Sequence, residues 1–153
     1  MLTVDISRRC ESTADPDNAL LVRWAQAGWQ EPTRAAEVAL VIIDQDAMQA
    51  FNAKYRDKDK PTNVLSFPAG FENEEGVLNL GDILLCAPVI ERESQEQHKR
   101  NTDHWAHMTI HGMLHLQGYD HEHREEAETM ENLEVEILNQ LGIANPYHAN
   151  QTQ

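Results

Sequence analysis

Between Asp103 and Leu116 the chain carries four histidines, His104, His107, His111 and His115, and a fifth, His121, follows shortly after. Plotted at about 100° per residue, the four fall within a sector of about 80°. The remaining directions hold Trp105, Ala106, Met108, Ile110, Gly112, Met113, Leu114 and Leu116. A helix that is apolar nearly all round except for one histidine stripe is a core helix whose polar face opens on a site. Unrelated histidines, each satisfied by local hydrogen bonds, are the ordinary alternative, and a stripe inside a buried helix fits it poorly. Neutral imidazoles at i and i+4 are neighbours that can close on a metal ion at about 2.0 to 2.1 Å. A third at i+8 is separated by about 12 Å of helical rise. His107, His111 and His115 are therefore a poor trio, and a third ligand has to come from outside the helix. Gly118 permits a sharp reversal after Leu116, which swings His121 back over the site. Three nitrogen ligands with a fourth position left to water is the pattern of a catalytic zinc, here one ion per chain.

The spacing i, i+4 and i+10 with glycine at i+7 is also that of the metzincin proteases, HExxHxxGxxH. Gly112 stands where those enzymes carry the glutamate that activates water, so their peptide-hydrolysis chemistry lacks its general base. The full stretch HGMLHLQGYDH, residues 111 to 121, is similar to the HGxLHLxGYDH signature of the YbeY family of bacterial endoribonucleases and rRNA maturation factors. PTNVLSFP at 61 to 68, LGDILLC at 80 to 86 and the YRDKDKPTN approach also resemble that family, in the same order and over most of the chain. The resemblance implies a zinc-dependent, single-strand-specific endoribonuclease acting in 16S rRNA 3′-end maturation and ribosome quality control. It places the metal ligands on His111, His115 and His121 and a functional arginine on Arg56, and it assigns Arg56 and His111 to catalysis. Its implied partners are single-stranded RNA, 16S rRNA and the small ribosomal subunit; the weak affinity for free RNA expected at a net charge of −14 adds a ribosome-associated protein that presents the RNA end.

Zinc held by three imidazoles lowers the pKa of its water to about 7, so nucleophile generation need not depend on a glutamate. Phosphodiester cleavage builds charge on the non-bridging oxygens, and the always-charged guanidinium of Arg56 offers paired donors matched to them. Attack by metal-activated water and attack by the RNA 2′-hydroxyl both remain open. Two other readings compete: a zincin-like hydrolase of a different substrate, and a ribosome-assembly binding factor whose zinc is structural.

The elements that must position these residues follow from patterning. Residues 2 to 7 alternate as a half-buried strand, 38 to 43 read as a buried strand, and 63 to 67 and 77 to 86 as two more. Helices are expected from Asp15 and Pro16 to about Trp29, over 45 to 53, from Ala87 to Lys99, from Asp103 to Leu116 and from Glu122 to Leu141. The last carries an apolar stripe of Ala127, Met130, Leu133, Ile137, Leu138 and Leu141, stopped by Gly142. Seven of its glutamates, Glu134 among them, read as a solvated face. KYRDKDKP reads as a polar loop and the tail after Pro146 as loose. The expectation is α+β: one domain over residues 1–153, a small mixed sheet of about four strands packed by helices, with the zinc site on a core helix and the turn after it. With 153 residues, 41% hydrophobic and 25% charged, the composition is that of an ordinary globular chain. Asp5, Arg8 and Arg9 interrupt any signal-like run, which points to the cytoplasm and away from membranes. Cys10 and Cys86 are far apart, so reduced thiols are expected rather than a disulfide. A net charge of −14 excludes a broadly basic nucleic-acid coat and leaves Lys54, Arg56, Lys58 and Lys60 as the densest basic run.

Overall fold

The computed structural model describes residues 1–10, 15–120 and 122–147. Its elements run β1 (Leu2–Arg8), α1 (Asn18–Gly28), β2 (Ala36–Ile43), α2 (Gln45–Arg56), β3 (Val64–Glu72), β4 (Leu78–Cys86), α3 (Ala87–Glu96), α4 (Asn101–Leu116) and α5 (Arg124–Gln140). The strands form one mixed sheet in the order β1-β2-β4-β3. β1, β2 and β4 are parallel, and β3 returns antiparallel to β4. The α+β expectation holds. No helix among the described residues is long and apolar enough to cross a membrane, and both cysteines are free thiols.

α4 is the element around which the rest is assembled. It packs on β3 and β4 and is flanked by α1, α3 and α5. Trp105, Ala106, Ile110, Met113 and Leu114 are fully buried, in one cluster with Leu40 and Ile42 of β2, Ile83 and Leu85 of β4, and Met130 and Leu138 of α5. Gly112 makes the approach of α4 to the sheet possible. A Cβ there would stand 2.8 Å from Ile83 Cγ2 and 3.3 Å from Ser66 Oγ. The Ser66 hydroxyl donates to the Gly112 carbonyl at 3.1 Å, which stitches β3 to the helix beside His111.

Four local expectations are corrected. Asp17 rather than Asp15 caps α1, accepting from Leu20 N, so the helix begins at Asn18. α2 continues to Arg56, past residue 53, because Asp44 caps its start and Asp57 ends it in the left-handed region at φ 57°. Arg56 thus sits in the last turn of a helix, where a cation suits the macrodipole, and not in a loop. β3 continues to Glu72, since the acidic stretch after Phe67 stays paired with β4 across an irregularity between Pro68 and Phe71. The expectation of a loose tail after Pro146 is corrected at Tyr147 alone, whose ring stands edge-on to His107; residues 148–153 lie outside the described residues.

Candidate metal and RNA site

The histidine stripe of α4 lies partly in the core and partly in a cleft. His104 and His107 are buried, whereas His111 and His115 are half-buried and line a cavity of about 780 Å³. The cavity's other wall carries Arg56, Lys58 and Lys60 from the end of α2 and the turns beyond it, together with Ser66 of β3. Three of the four expected cations therefore meet the histidines across one cleft. Lys54 lies instead over the Tyr55 ring, 5.2 Å from its centroid.

Each side chain is held by identifiable contacts. Arg56 Nη2 donates to the Ser66 carbonyl at 3.0 Å, and its guanidinium lies 5.9 Å from the centroid of the Phe67 ring. Asn52, buried under the basic segment, donates to the Lys60 carbonyl at 2.7 Å, and its own carbonyl accepts from Lys58 N. Gly118 adopts φ 95° and ends the turn that leaves α4, as a glycine must there. Asp120 accepts from Glu122 N at 2.7 Å, and α5 has no side-chain N-cap bond, so the aspartate shapes the turn rather than capping the helix. His121 lies outside the described residues. Asp82 is exposed and lines a second cavity with Asp5 and Arg9, away from the histidines.

The two cleft histidines converge. His115 Nε2 and His111 Nε2 are 3.1 Å apart. Tetrahedral coordination at about 2.0 to 2.1 Å sets neighbouring ligand nitrogens about 3.3 Å apart, so the pair has the separation of one edge of such a site. On the other side of the ring, His111 Nδ1 lies 3.2 Å from Glu134 Oε1. A carboxylate accepts, so this contact puts the ring proton on Nδ1 and the lone pair on Nε2, toward His115. The donor set fits a borderline-soft divalent ion.

Glu134 corrects the reading of the α5 glutamates as one solvated face. It is fully buried. His107 Nε2 donates to its Oε2 at 2.5 Å, and the Tyr147 hydroxyl lies 3.1 and 3.3 Å from its two oxygens. Burial alone would raise its carboxyl pKa, but the hydrogen bonds from His107 and His111 outweigh burial and hold it at about 2. Burial pushes the His107 imidazolium the other way, below 6.5, against the pull of Glu134. Both shifts describe a neutral His107 donating to an ionised Glu134. Its remaining nitrogen, Nδ1, is buried without a hydrogen-bond partner among the described residues, as suits a bare lone pair better than an N–H. The sequence did contain a signal: Glu134 lies four residues from both Met130 and Leu138, on the apolar stripe. His104 is a structural residue. Its Nε2 is 2.9 Å from Glu93, which also accepts from Asn63 at the head of β3.

His107, His111 and Glu134 bring ligand atoms within 4.8 Å of one another and so form a group that could itself hold a metal ion. That group is the deeper one, with side chains 8%, 20% and 1% exposed. His111 belongs to both arrangements, its Nδ1 facing the core and its Nε2 the cleft.

Comparison with known proteins points one way. A family model described as Endoribonuclease YbeY matches residues 10–142. A protein named endoribonuclease YbeY from Methylococcus capsulatus is 53% identical over 142 residues, 92% of each chain. Bearers of the same name from Alteromonas mediterranea and Pseudomonas entomophila are 52% identical, over 89% of this chain and 87% of theirs, and 43% identical, over 99% and 97%. A solution structure from Thermotoga maritima shares the fold, with a TM-score of 0.57 at 23% identity over 92% of this chain and 91% of that one.

Proposed function

From the premise that this chain belongs to the YbeY endoribonuclease family, we propose that it cleaves single-stranded RNA in the cleft between α4 and the end of α2. In this reading it acts with zinc in 16S rRNA 3′-end maturation and ribosome quality control, and residues 1–153 are one such domain in the cytoplasm. The observation that carries the reading is the approach of His111 Nε2 and His115 Nε2 to 3.1 Å, on a cavity whose other wall presents Arg56.

His111, His115 and His121 are the proposed zinc ligands. When bound, zinc supplies the Lewis acidity that makes water nucleophilic near neutral pH and draws charge from phosphoryl oxygens. His111 contributes its Nε2 lone pair, kept available because Nδ1 faces Glu134. Arg56 is tethered through one nitrogen to Ser66, which leaves further N–H groups to pair with the non-bridging oxygens as they gain charge. Lys58 and Lys60 meet flanking phosphates.

With a net charge of −14 and about three cations on the cleft, the protein has little electrostatic purchase on free RNA. The small ribosomal subunit and a protein bound to it are the proposed partners that present the RNA end, raising its effective concentration. The test compares cleavage of a 16S 3′-terminal RNA, free and within the small-subunit particle, at one salt concentration. The particle should be cut faster and at defined positions. Equal rates and equal sites on the free RNA would refute partner presentation.

A further inference from the structure

Behind the cleft, on the core side of His111, three polar side chains from separate parts of the chain meet among apolar ones. His107 comes from α4, Glu134 from the apolar stripe of α5, and Tyr147 from the segment after α5. A buried carboxylate costs several kcal/mol unless paired and hydrogen-bonded, and a well-packed apolar side chain in its place is often no less stable. Beside Met130, Ile137 and Leu138, a leucine at 134 would serve the packing. A leucine could not hold the imidazole of His111 by Nδ1.

Glu134 does so with Oε1, while Oε2 takes the donor from His107, and the Tyr147 hydroxyl bridges to both oxygens and lies 3.2 Å from His107 Nε2. Glu134, His107 and Tyr147 are not among the residues that line the cleft, and only His111 belongs both to it and to this cluster. We propose that Glu134, Tyr147 and His107 form a positioning network for His111, setting its tautomer and ring orientation and through them the affinity of the site for its metal. The proposal rests on the reading of His111 as a ligand through Nε2. It makes the chain beyond α5 part of the construction of the site, by way of Tyr147.

The same three residues are poorly suited to be the metal centre themselves. The two carboxylate oxygens already accept from three donors, which an ion would have to displace. Glu134 and His107 are also shut from solvent, whereas a catalytic metal keeps a position open to water. Orienting partners of metal-bound histidines change metal affinity by roughly 10- to 100-fold when removed.

The test is competition for Zn²⁺ between a chromophoric chelator and the metal-stripped full chain, at a temperature below every thermal midpoint. Visible spectra of Co²⁺-loaded samples serve as a report on ligand geometry. Glu134→Gln should bind Zn²⁺ roughly 10- to 100-fold more weakly and alter the Co²⁺ bands. Tyr147→Phe should lose about fivefold, the equivalent of one hydrogen bond. His115→Ala should lose the metal outright. Affinities within twofold of wild type in both network variants, whatever happens to their thermal midpoints, would overturn the proposal while His115→Ala still upholds the ligand reading. If Glu134→Gln does not fold, Tyr147→Phe decides alone by the same criterion. Wild-type affinity in His115→Ala together with metal loss in Glu134→Gln would place the ion in the deep cluster, overturning both the ligand assignment and this inference.

Discussion

Replacing Gly112 by alanine isolates the packing of the site helix from its chemistry. In an ordinary helix the change stabilises by about 1 kcal/mol, because alanine loses less backbone freedom. Here the new methyl would meet Ile83 Cγ2 at 2.8 Å and Cδ1 at 3.2 Å. Ile83 is fully buried in a strand, and a β-branched side chain has little rotamer freedom with which to yield. Overpacking of this kind costs about 1 to 3 kcal/mol, and the rigidity of the neighbour favours the upper half, about 2 to 3. The net expectation is a loss of about 1 to 2 kcal/mol, or about 2 to 8 °C in melting temperature for a chain of this size. Differential scanning calorimetry of the metal-free proteins measures it. Gly112→Glu, which would restore the protease glutamate, adds a longer side chain and a charge at the same contact and should not give a folded protein. A melting temperature at or above wild type in Gly112→Ala would refute the close-approach argument, and with it the steric reason why glycine follows His111.

Arg56→Ala should keep its zinc content and stay within about 1 kcal/mol of wild-type stability, since Arg56 is exposed and holds one backbone contact, yet lose most RNA cleavage. Arg56→Lys should recover only part, because an ammonium cannot form the paired contact; wild-type cleavage in Arg56→Ala would remove the residue from the mechanism. For metal-free protein, the pH dependence has a definite sign. The folded-state pKa values of Glu134 and His107 both lie below the ordinary ones, so the unfolded chain takes up protons first and stability falls as pH falls. The His107 loss begins near 6.5, and the Glu134 contribution, up to about 3 kcal/mol, is complete above 4.5 and disappears toward about 2. Urea denaturation from pH 7 to pH 3 should show a shallower decline below 4.5 in Glu134→Gln than in wild type; parallel curves would contradict the assignment.

What was legible in the sequence, and what was not, divides by the kind of signal. α4 and its cleft-facing histidines stand out because polar residues recur at helical spacing within an otherwise apolar helix, and few structures other than a core helix facing a site tolerate that. The turn at Gly118 is legible because its φ of 95° is one that side chains rarely adopt. Glu134 was concealed by its neighbours: among six other glutamates it reads as surface, and only its place on the stripe of Met130 and Leu138 distinguishes it. Tyr147 gives no local signal, since its hydroxyl acts on residues 13 and 40 positions away. Arg56 reads as a loop residue in the sequence because the alternating lysines and aspartates after it dominate composition, whereas the helix that holds it is decided by the capping aspartates at either end. The convergence of His111 with Arg56 across one cleft is a long-range fact that depends on Ser66 of β3 lying between them.

The most direct test of the account is the rate of single-stranded RNA cleavage by chelator-stripped protein before and after addition of one equivalent of Zn²⁺, in wild type and in His115→Ala, with bound zinc measured in the same samples. The account predicts no cleavage by the stripped wild type, recovery with one bound zinc, and neither zinc nor cleavage in His115→Ala, whose core is intact. Undiminished cleavage by the stripped wild type, or full recovery in His115→Ala, would contradict it.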